Sequence, residues 1–210
     1  MKYLFFDTET TGVPYNYKKS PLDDKYNWPH IVSLCWVLYD PITQKTSPYY
    51  YYVFKPQGFI IPPESSVIHG ISHDHAMTHG HDPIPILQQF CKHASQANKI
   101  IAHNLHFDKH VLLNDLQWFL PPPAQLPWTP EKEFCTMMDN IHYCKLPFAN
   151  KNPGYKYPKL DELYACVFTR DAPQDAHNAE RDVRVLVEIY KRKYPYVHSH
   201  RYNTRSKIPF

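Results

Sequence analysis

Asp7 and Glu9 are the residues whose types and spacing most directly suggest chemistry. They lie one residue apart in "FFDTETTG" (5–12), at the end of a short apolar run that is typical of a buried strand. Because side chains alternate across a strand, both carboxylates would point to the same side, and two anions held that close require a cation. The alternative is a strand end that frays into a polar turn, and these residues alone do not decide between the two.

Two acids that are distant in sequence, Asp108 and Asp182, could complete a metal site. Asp108 lies one turn into a predicted helix that follows "KIIAHN" (99–104), where the chain leaves a strand at the carboxyl edge of the sheet. Asp182 lies in the last predicted helix, roughly 80° from the centre of its apolar stripe, and so could reach the end of the first strand. A carboxylate in that position is costly unless it is paired or bound to a metal.

His177 precedes Asp182 by five residues, a spacing that would turn it away from the acid on a continuous helix. It must therefore come from the turn before the helix, above the same end of the sheet. Four carboxylate donors suit Mg²⁺ or Mn²⁺, and a neutral imidazole that is not itself a ligand suits a general base. The five residues together indicate metal-dependent hydrolysis by an activated water.

The elements that would position these residues begin as a meander of strands and then alternate between strands and helices. We expect strands at 3–6, 30–40, 49–55, 99–104 and 134–137, and helices at 84–97, 106–119, 160–168 and 178–193. The proline-dense stretch at 120–130 can be neither a helix nor a central strand, so we expect a loop there. This order predicts an α/β fold in which helices cover a mixed sheet.

Length and composition restrict the class of protein. A chain of 210 residues with 43% hydrophobic residues suits one compact domain. No apolar stretch approaches the length of a membrane span, and the N-terminus shows no secretion leader. The five cysteines contain no C-x-x-C pair, which argues against a disulfide framework or a zinc knuckle. We therefore expect an intracellular protein, cytoplasmic or nuclear, that is neither secreted nor bound to a membrane.

The distribution of charge points to a polyanionic partner. Although the net charge is only +3, residues 191–207 contain eight basic or histidine residues and no acid. Lys18 and Lys19 could also contact phosphates, although exposed charges of this kind are more often only solvated.

Four segments of this chain resemble, in order, the signature blocks of the DnaQ-like 3′→5′ exonucleases, the DEDDh family of the RNase H-like superfamily. The segments are "FDTETTG" (6–12), "IHGIS" (68–72), "HNLHFD" (103–108) and "HNAERD" (177–182), and the similarity extends from Met1 to about Lys193. The resemblance implies an RNase H-like mixed five-stranded sheet with helices on both faces. It also implies an exonuclease domain over residues 1–193, followed by a basic tail at 194–210.

The resemblance also assigns roles to the residues at the motif positions. It implies that two divalent cations, Mg²⁺ or Mn²⁺, are bound by Asp7, Glu9, Asp108 and Asp182, and that His177 activates the attacking water. A sister subclass carries a tyrosine four residues before the last aspartate, where this chain has Asn178, so the histidine subclass is implied. Substrate contacts are expected from Thr8, Thr10, His69 and Asn104, although Thr8 and Thr10 fit an ordinary turn equally well.

On this basis we predict a 3′→5′ exonuclease of proofreading or repair type that releases nucleoside monophosphates from single-stranded or frayed 3′ ends. The TETT form of the first block is similar to that of DNA-directed members, which favours DNA over RNA. A polymerase or another replication protein is a candidate partner. Two alternatives stay open: a non-catalytic RNase H-like module that binds nucleic acid or recruits a polymerase, and an RNA-trimming exonuclease of the same chemistry.

The histidine-rich segment "HGISHDHAMTHGH" (69–81) invites comparison with a zinc site. His73, His75, His79 and His81 lack cysteine partners and convincing helical pairs, so we predict a solvated loop. The polar segment at 13–27, the proline-rich loop and the basic tail depart from the family pattern without removing a chemical group. These departures leave the choice of substrate open.

Overall fold

The first strand, β1 (Tyr3–Thr10), is the central strand of the sheet because its residues are apolar on both faces. The computed structural model describes residues 1–123, 125–150, 153–174 and 177–195. Residues 4–6 are fully buried. β1 lies between β2 (Ile31–Asp40) and β5 (Lys99–Ala102). The prediction of a buried first strand is confirmed.

Within the described residues the sheet has six strands in the order β3-β2-β1-β5-β6, and β4 also pairs with β2. The remaining strands are β3 (Lys45–Thr46), β4 (Tyr50–Val53) and β6 (Glu133–Cys135). β1 runs antiparallel to β2, with Asp7 opposite Cys35, and parallel to β5, which is in turn parallel to β6. The carboxyl ends of β1, β5 and β6 therefore meet at one edge of the sheet, where sites commonly form in such folds.

Helices cover both faces of the sheet, as predicted. They are α1 (Pro63–His69), α2 (His73–His79), α3 (Pro83–Gln96), α4 (Leu105–Phe119), α5 (Thr136–Asp139), α6 (Ile141–Cys144), α7 (Leu160–Phe168) and α8 (Ala179–Lys193). α3 and α4 pack on one face with Phe6 and Phe90 in the core, and α8 packs on the other against Phe5 and Ile101. α7 packs against α8. No helix in the described part of the chain is both long and apolar enough to cross a membrane.

Short elements without an apolar period differ from the sequence prediction. The two residues of β3 form a strand in addition to the five expected. The segment predicted as a solvated loop contains α2, so that prediction is wrong. The N-cap of α2 is Ser72, whose hydroxyl accepts a hydrogen bond from the His75 N–H at 3.1 Å. Capping, rather than an apolar stripe, defines this helix, since Ala76 is its one buried residue.

Candidate active site

The carboxylates of Asp7, Glu9 and Asp182 lie at the edge of the sheet where β1 ends. Asp7 and Glu9 are on the same side of β1, and the pairing with β2 shifts its register immediately after Glu9. Asp182 reaches them from the first turn of α8. One carboxylate oxygen of each residue lies within 4.8 Å of those of the other two. The structure therefore brings together three of the four acids predicted to bind metal.

The position of Asp182 follows from the way in which α8 begins. Asn178 is the N-cap, and its side-chain oxygen accepts hydrogen bonds from the N–H groups of Glu180 (3.0 Å) and Arg181 (3.2 Å). The buried face of α8, which includes Val183, fixes the rotation of the helix against the sheet. Asp182 lies beside this face, and its carboxylate consequently reaches the end of β1.

Asp108 lies next to this group and is held by Thr8. It is 3% exposed in the first turn of α4, and its Oδ1 accepts hydrogen bonds from the Thr8 N–H (3.1 Å) and hydroxyl (2.8 Å). It is not one of the three residues whose oxygens lie within 4.8 Å of one another. Its charge nevertheless raises the pKa of Asp7, so the two carboxylates are close enough to interact. Metal binding by Asp108 stays a prediction.

Burial and crowding raise the pKa of all four carboxyl groups. The pKa of Asp7 is raised well above its usual value, first by burial and then by the neighbouring acids. The same causes raise the pKa of Glu9 to about 8. Burial raises the pKa of Asp108 to about 7 against the hydrogen bonds from Thr8, and it raises that of Asp182 against Arg181. A bound cation would relieve this repulsion, and these oxygen donors suit Mg²⁺ or Mn²⁺, so the residues fit a divalent metal.

Arg181 is a part of the site that sequence reasoning missed. Its Nη1 donates to Asp182 Oδ1 and to Asp161 Oδ1, both at 2.7 Å, and its side chain is largely buried. Burial raises the pKa of Asp182, and the Arg181 guanidinium opposes this shift. Arg181 also ties the first turn of α8 to the first turn of α7. In the sequence its only signal is its place next to Asp182, which does not distinguish it from a solvated arginine.

A cavity of about 500 Å³ includes the carboxylate cluster. Of the nine residues predicted for the site, eight line this cavity: Asp7, Thr8, Glu9, Thr10, His69, Asn104, His177 and Asp182. Asp108 is the ninth and is bonded to Thr8. The four motif segments therefore converge on one cavity, although they are spread over most of the chain.

His177 is an exposed residue that lines this cavity. It immediately precedes Asn178, the N-cap of α8, and its backbone is left-handed with φ of 64°. This conformation is uncommon for a residue other than glycine. His177 therefore comes from the turn before the helix, outside the group of acids, and its ring is accessible to solvent.

His69 is buried at the end of α1, with one ring nitrogen unpaired. Its Nδ1 accepts a hydrogen bond from the Ile71 N–H at 3.1 Å, which places the proton of the neutral ring on Nε2. Nε2 is buried and has no hydrogen-bond partner among the described residues. Burial lowers the pKa of His69 and so favours the neutral ring, and a weak interaction with the Thr10 backbone opposes this shift. The Thr10 backbone is thus the nearest acceptor on the protein, and a donor that lines a cavity with no closer partner can also donate to a ligand or water.

Asn104, Thr8 and Thr10 differ in the hydrogen bonds that they could make to a substrate. Asn104 precedes α4 with a left-handed backbone (φ of 67°) and makes no side-chain cap, so the helix does not use its amide. The Thr8 hydroxyl donates to Asp108, and the Thr10 hydroxyl donates to the Gly12 carbonyl at 2.7 Å. Each of these two hydroxyls can therefore only accept a hydrogen bond from a ligand.

His103 is a second residue whose role is not evident from the sequence. Its Nε2 donates to the Pro158 carbonyl at 2.9 Å, and its Nδ1 accepts from the Thr136 hydroxyl at 3.1 Å. Burial lowers its pKa to about 4, which agrees with this neutral form. The ring joins the end of β5 to the segment 157–160, which lines the cavity.

Comparison with solved structures agrees with this architecture. Similar structures include Exonuclease I from E. coli in complex with a dT13 oligonucleotide (TM-score 0.65, 16% identity) and Exonuclease I from Methylocaldum szegediense (TM-score 0.66, 16% identity). The match to the E. coli protein covers 90% of this chain and 40% of the E. coli chain. The match to the Methylocaldum szegediense protein covers 92% of this chain and 41% of that protein's chain. This chain thus spans about 40% of the length of those proteins, and at this identity the likeness shows the fold alone.

Comparison of the sequence identifies the family. No match was found among the curated proteins. The RNase_T family, described as exonuclease, matches residues 4–190 and so includes all four motif segments. The chain therefore belongs to the DnaQ-like (DEDDh) exonuclease family.

Proposed function

We propose that this protein is a metal-dependent 3′→5′ exonuclease that releases nucleoside monophosphates from single-stranded or frayed 3′ ends, with DNA favoured over RNA. The observation that carries the proposal is the convergence of Asp7, Glu9 and Asp182 within 4.8 Å, in a cavity that is also lined by His177. Membership of an exonuclease family supports hydrolysis at an end of the strand.

The acidic residues are the proposed metal ligands. Two divalent cations, Mg²⁺ or Mn²⁺, would be held by Asp7, Glu9, Asp108 and Asp182. When bound, such ions supply Lewis-acid stabilisation of the charge that develops at the scissile phosphate. Arg181 orients Asp182 through its hydrogen bond, and Thr8 does the same for Asp108.

The other residues that line the cavity would handle protons and the terminal nucleotide. His177 would accept the proton of the attacking water, because its exposed ring can pass that proton to solvent. The Nε2–H of His69 and the amide of Asn104 would donate to oxygens of the terminal nucleotide. Thr8 and Thr10 would accept hydrogen bonds from the terminal sugar, since their own hydroxyl protons are already used.

The size of the cavity supports an unpaired terminus. A volume of about 500 Å³ is large enough for one nucleotide, and a terminal base that entered it would leave its pairing partner. The preference for DNA is supported by the Exonuclease I structures, which contain dT13, dA16 or single-stranded DNA. Association with a polymerase or another replication protein, and a cytoplasmic or nuclear location, stay predictions.

The proposal is tested with 5′-labelled DNA and RNA of the same sequence, single-stranded and double-stranded, in Mg²⁺, in Mn²⁺ and in EDTA. We expect strands shortened from the 3′ end, nucleoside monophosphates as products, faster cleavage of DNA and no cleavage in EDTA. Asp7→Asn and Asp182→Asn should lower turnover by about 10³-fold, because metal ions contribute several kcal/mol to charge stabilisation. Asp74→Asn, which changes an exposed acid of α2, is the matched control.

The possible results separate the alternatives. Wild-type turnover in either site variant would remove that acid from the metal site. Shortening from the 5′ end, or internal cuts, would contradict the proposed polarity. Binding without metal-dependent cleavage would favour the non-catalytic module, and faster cleavage of RNA would favour the RNA-trimming alternative.

The role of His177 has its own test. His177→Ala should lower turnover by roughly 10² to 10⁴, the usual contribution of a positioned general base. The affinity for Mn²⁺, measured by calorimetry, should change little because the ring lies outside the group of acids. His142→Ala, an exposed histidine of α6, is the control. Full rescue of the variant by more metal would show that His177 is a ligand instead.

A further inference from the structure

The segment 13–28, which joins β1 to β2, is held by internal hydrogen bonds although it contains no strand or helix. Asn27 is buried, and it accepts a hydrogen bond from the Asn16 N–H and donates one to the Asn16 carbonyl, both at 2.9 Å. The indole N–H of Trp28, also buried, donates to the Lys19 carbonyl at 2.7 Å. Buried side chains therefore hold the backbone in one conformation.

This segment lies at the border of the active-site cavity. Val13, where the segment begins, and Gly12 just before it line that cavity. Further along, the Tyr17 carbonyl faces Nε2 of His106 at 3.4 Å, in the first turn of α4. Phe107 in the same turn lines the cavity, and the Trp28 ring lies 6.1 Å from it. The segment is thus attached to the site both at its start and through α4.

The outer surface of the segment carries aromatic rings and lysines. The exposed fractions of Tyr15, Tyr17 and Tyr26 are 93%, 50% and 67%. Lys18 is exposed and has no ion-pair partner among the described residues, whereas Lys19 pairs with an acid of the same segment. Tyr17 packs edge-on against Trp28 and Tyr26 against Trp118, with ring centroids 5.9 and 6.0 Å apart, whereas Tyr15 has no ring contact among the described residues. Packing therefore does not explain the outward position of Tyr15 next to the unpaired Lys18.

We propose that the segment 13–28 is a platform that binds the nucleic-acid strand upstream of the 3′ terminus, an inference that rests on the proposed function. Surfaces for single strands combine aromatic rings, on which unpaired bases stack, with cations that contact the phosphates. Tyr15 would stack on a base directly outside the cavity, and Lys18 would neutralise a phosphate. Because stacking needs unpaired bases and no base-edge contact, the platform favours single strands without selecting sequence.

The test separates the platform from the chemistry by comparing long and short substrates. The double variant Tyr15→Ala/Lys18→Ala is measured with a single strand of about 16 nucleotides, the upper end of such site sizes, and with the p-nitrophenyl ester of thymidine 5′-monophosphate, which contains only one nucleotide. We expect the affinity for the long strand, measured by fluorescence anisotropy in EDTA, to fall about tenfold. The slope of log affinity against log salt should fall by about 0.7 for the one lost cation. Hydrolysis of the p-nitrophenyl ester, which has no base outside the cavity, should be unchanged.

Two control variants, and a third variant for another exit direction of the strand, make the test specific. Tyr143→Ala removes an exposed tyrosine of α6 that does not line the cavity. Lys45→Ala removes an exposed lysine of β3, which pairs with the end of β2 remote from the site. Tyr157→Ala removes a ring from another part of the cavity lining. This variant tests whether the strand leaves the cavity past Tyr157 instead of over the platform.

Each result has a distinct meaning. The platform is overturned if the double variant binds the long strand as the wild type does, if the wild type binds no strand, or if Tyr157→Ala alone carries the loss. Binding that depends on the platform without any cleavage in Mg²⁺ or Mn²⁺ would leave the platform in place and overturn the proposed exonuclease.

Discussion

At the scale of single residues, the crowded carboxylates should make the metal-free protein less stable as pH rises. The folded pKa of Glu9 is about 8 against 4.5 in a free side chain, and that of Asp108 is about 7 against 3.8. The folded protein therefore holds protons that the unfolded chain has already released, so the free energy of unfolding falls with rising pH in this range. The pKa values of His69 and His103 are lowered, so these residues affect the pH dependence of stability only below about pH 6.5. Above that pH the acids determine it.

We expect the melting temperature in EDTA to fall by roughly 5 °C between about pH 6.5 and pH 8.5, which corresponds to about 2 kcal/mol for a chain of this size. Added Mg²⁺ or Mn²⁺ should restore more stability at the higher pH, because bound cations remove the repulsion. Asp7→Asn should flatten the dependence on pH, whereas Asp74→Asn should not. A melting temperature that rises over this range in EDTA would contradict the crowded arrangement.

The residue scale also shows what sequence could and could not predict about the site. Asp7 and Asp182 could be found because an acid at a strand end or beside a buried helix face is costly without a partner. Arg181 could not, since only the packing of α7 against α8 brings Asp161 and Asp182 to the same guanidinium. His103 was equally hidden, because its partners Thr136 and Pro158 are distant in the chain.

At the scale of elements, periodic burial decided which predictions succeeded. β1 and α8 were predicted because a continuous apolar run and a regular apolar stripe are strong local signals. α1 was not predicted, because Val67 and Ile68 are 86% and 58% exposed and do not form a buried stripe. α2 depends on the Ser72 cap, and its histidines carry no apolar period. The helices that were missed are thus those that the core does not define.

One acid of α4 is predicted to hold the junction of three elements together. Asp115 is fully buried and accepts hydrogen bonds from the Ile31 N–H (2.8 Å), at the start of β2, and from Nδ1 of His30 (2.6 Å), beside the segment 13–28. Asp115→Ala should lower the free energy of unfolding by about 3–5 kcal/mol, since it breaks a buried pair. Asp115→Asn, which keeps the shape, should cost less.

Urea unfolding of the two Asp115 variants measures this contribution. In Asp115→Ala the affinity for a long single strand should fall together with stability. The reason is that His30, which is hydrogen-bonded to Asp115, follows closely after the end of the platform at Trp28. Equal stability of Asp115→Ala and the wild type would mean that packing alone holds α4 against the start of β2.

At the scale of the whole molecule, the basic tail should add long-range attraction for nucleic acid without taking part in the chemistry. Residues 196–210, most of the tail predicted at 194–210, lie outside the described residues and contain Arg201, Arg205 and Lys207. Tyr194 belongs with the domain, because its hydroxyl accepts a hydrogen bond from the Asn140 amide at 2.9 Å. A truncation should therefore begin at residue 196.

Removal of residues 196–210 should weaken binding of single-stranded DNA more at low salt than at high salt. Each cation that contacts a phosphate contributes about 0.7 to the slope of log affinity against log salt, so the loss of three should lower the slope by up to about 2. Replacing Arg201, Arg205 and Lys207 by glutamine in the full chain should have the same effect if charge alone is responsible. Hydrolysis of the p-nitrophenyl ester of thymidine 5′-monophosphate, which has no nucleotide outside the cavity, should be unchanged in both variants. An unchanged salt slope would show that the tail cations are only solvated, and slower hydrolysis of the p-nitrophenyl ester would place the tail at the active site.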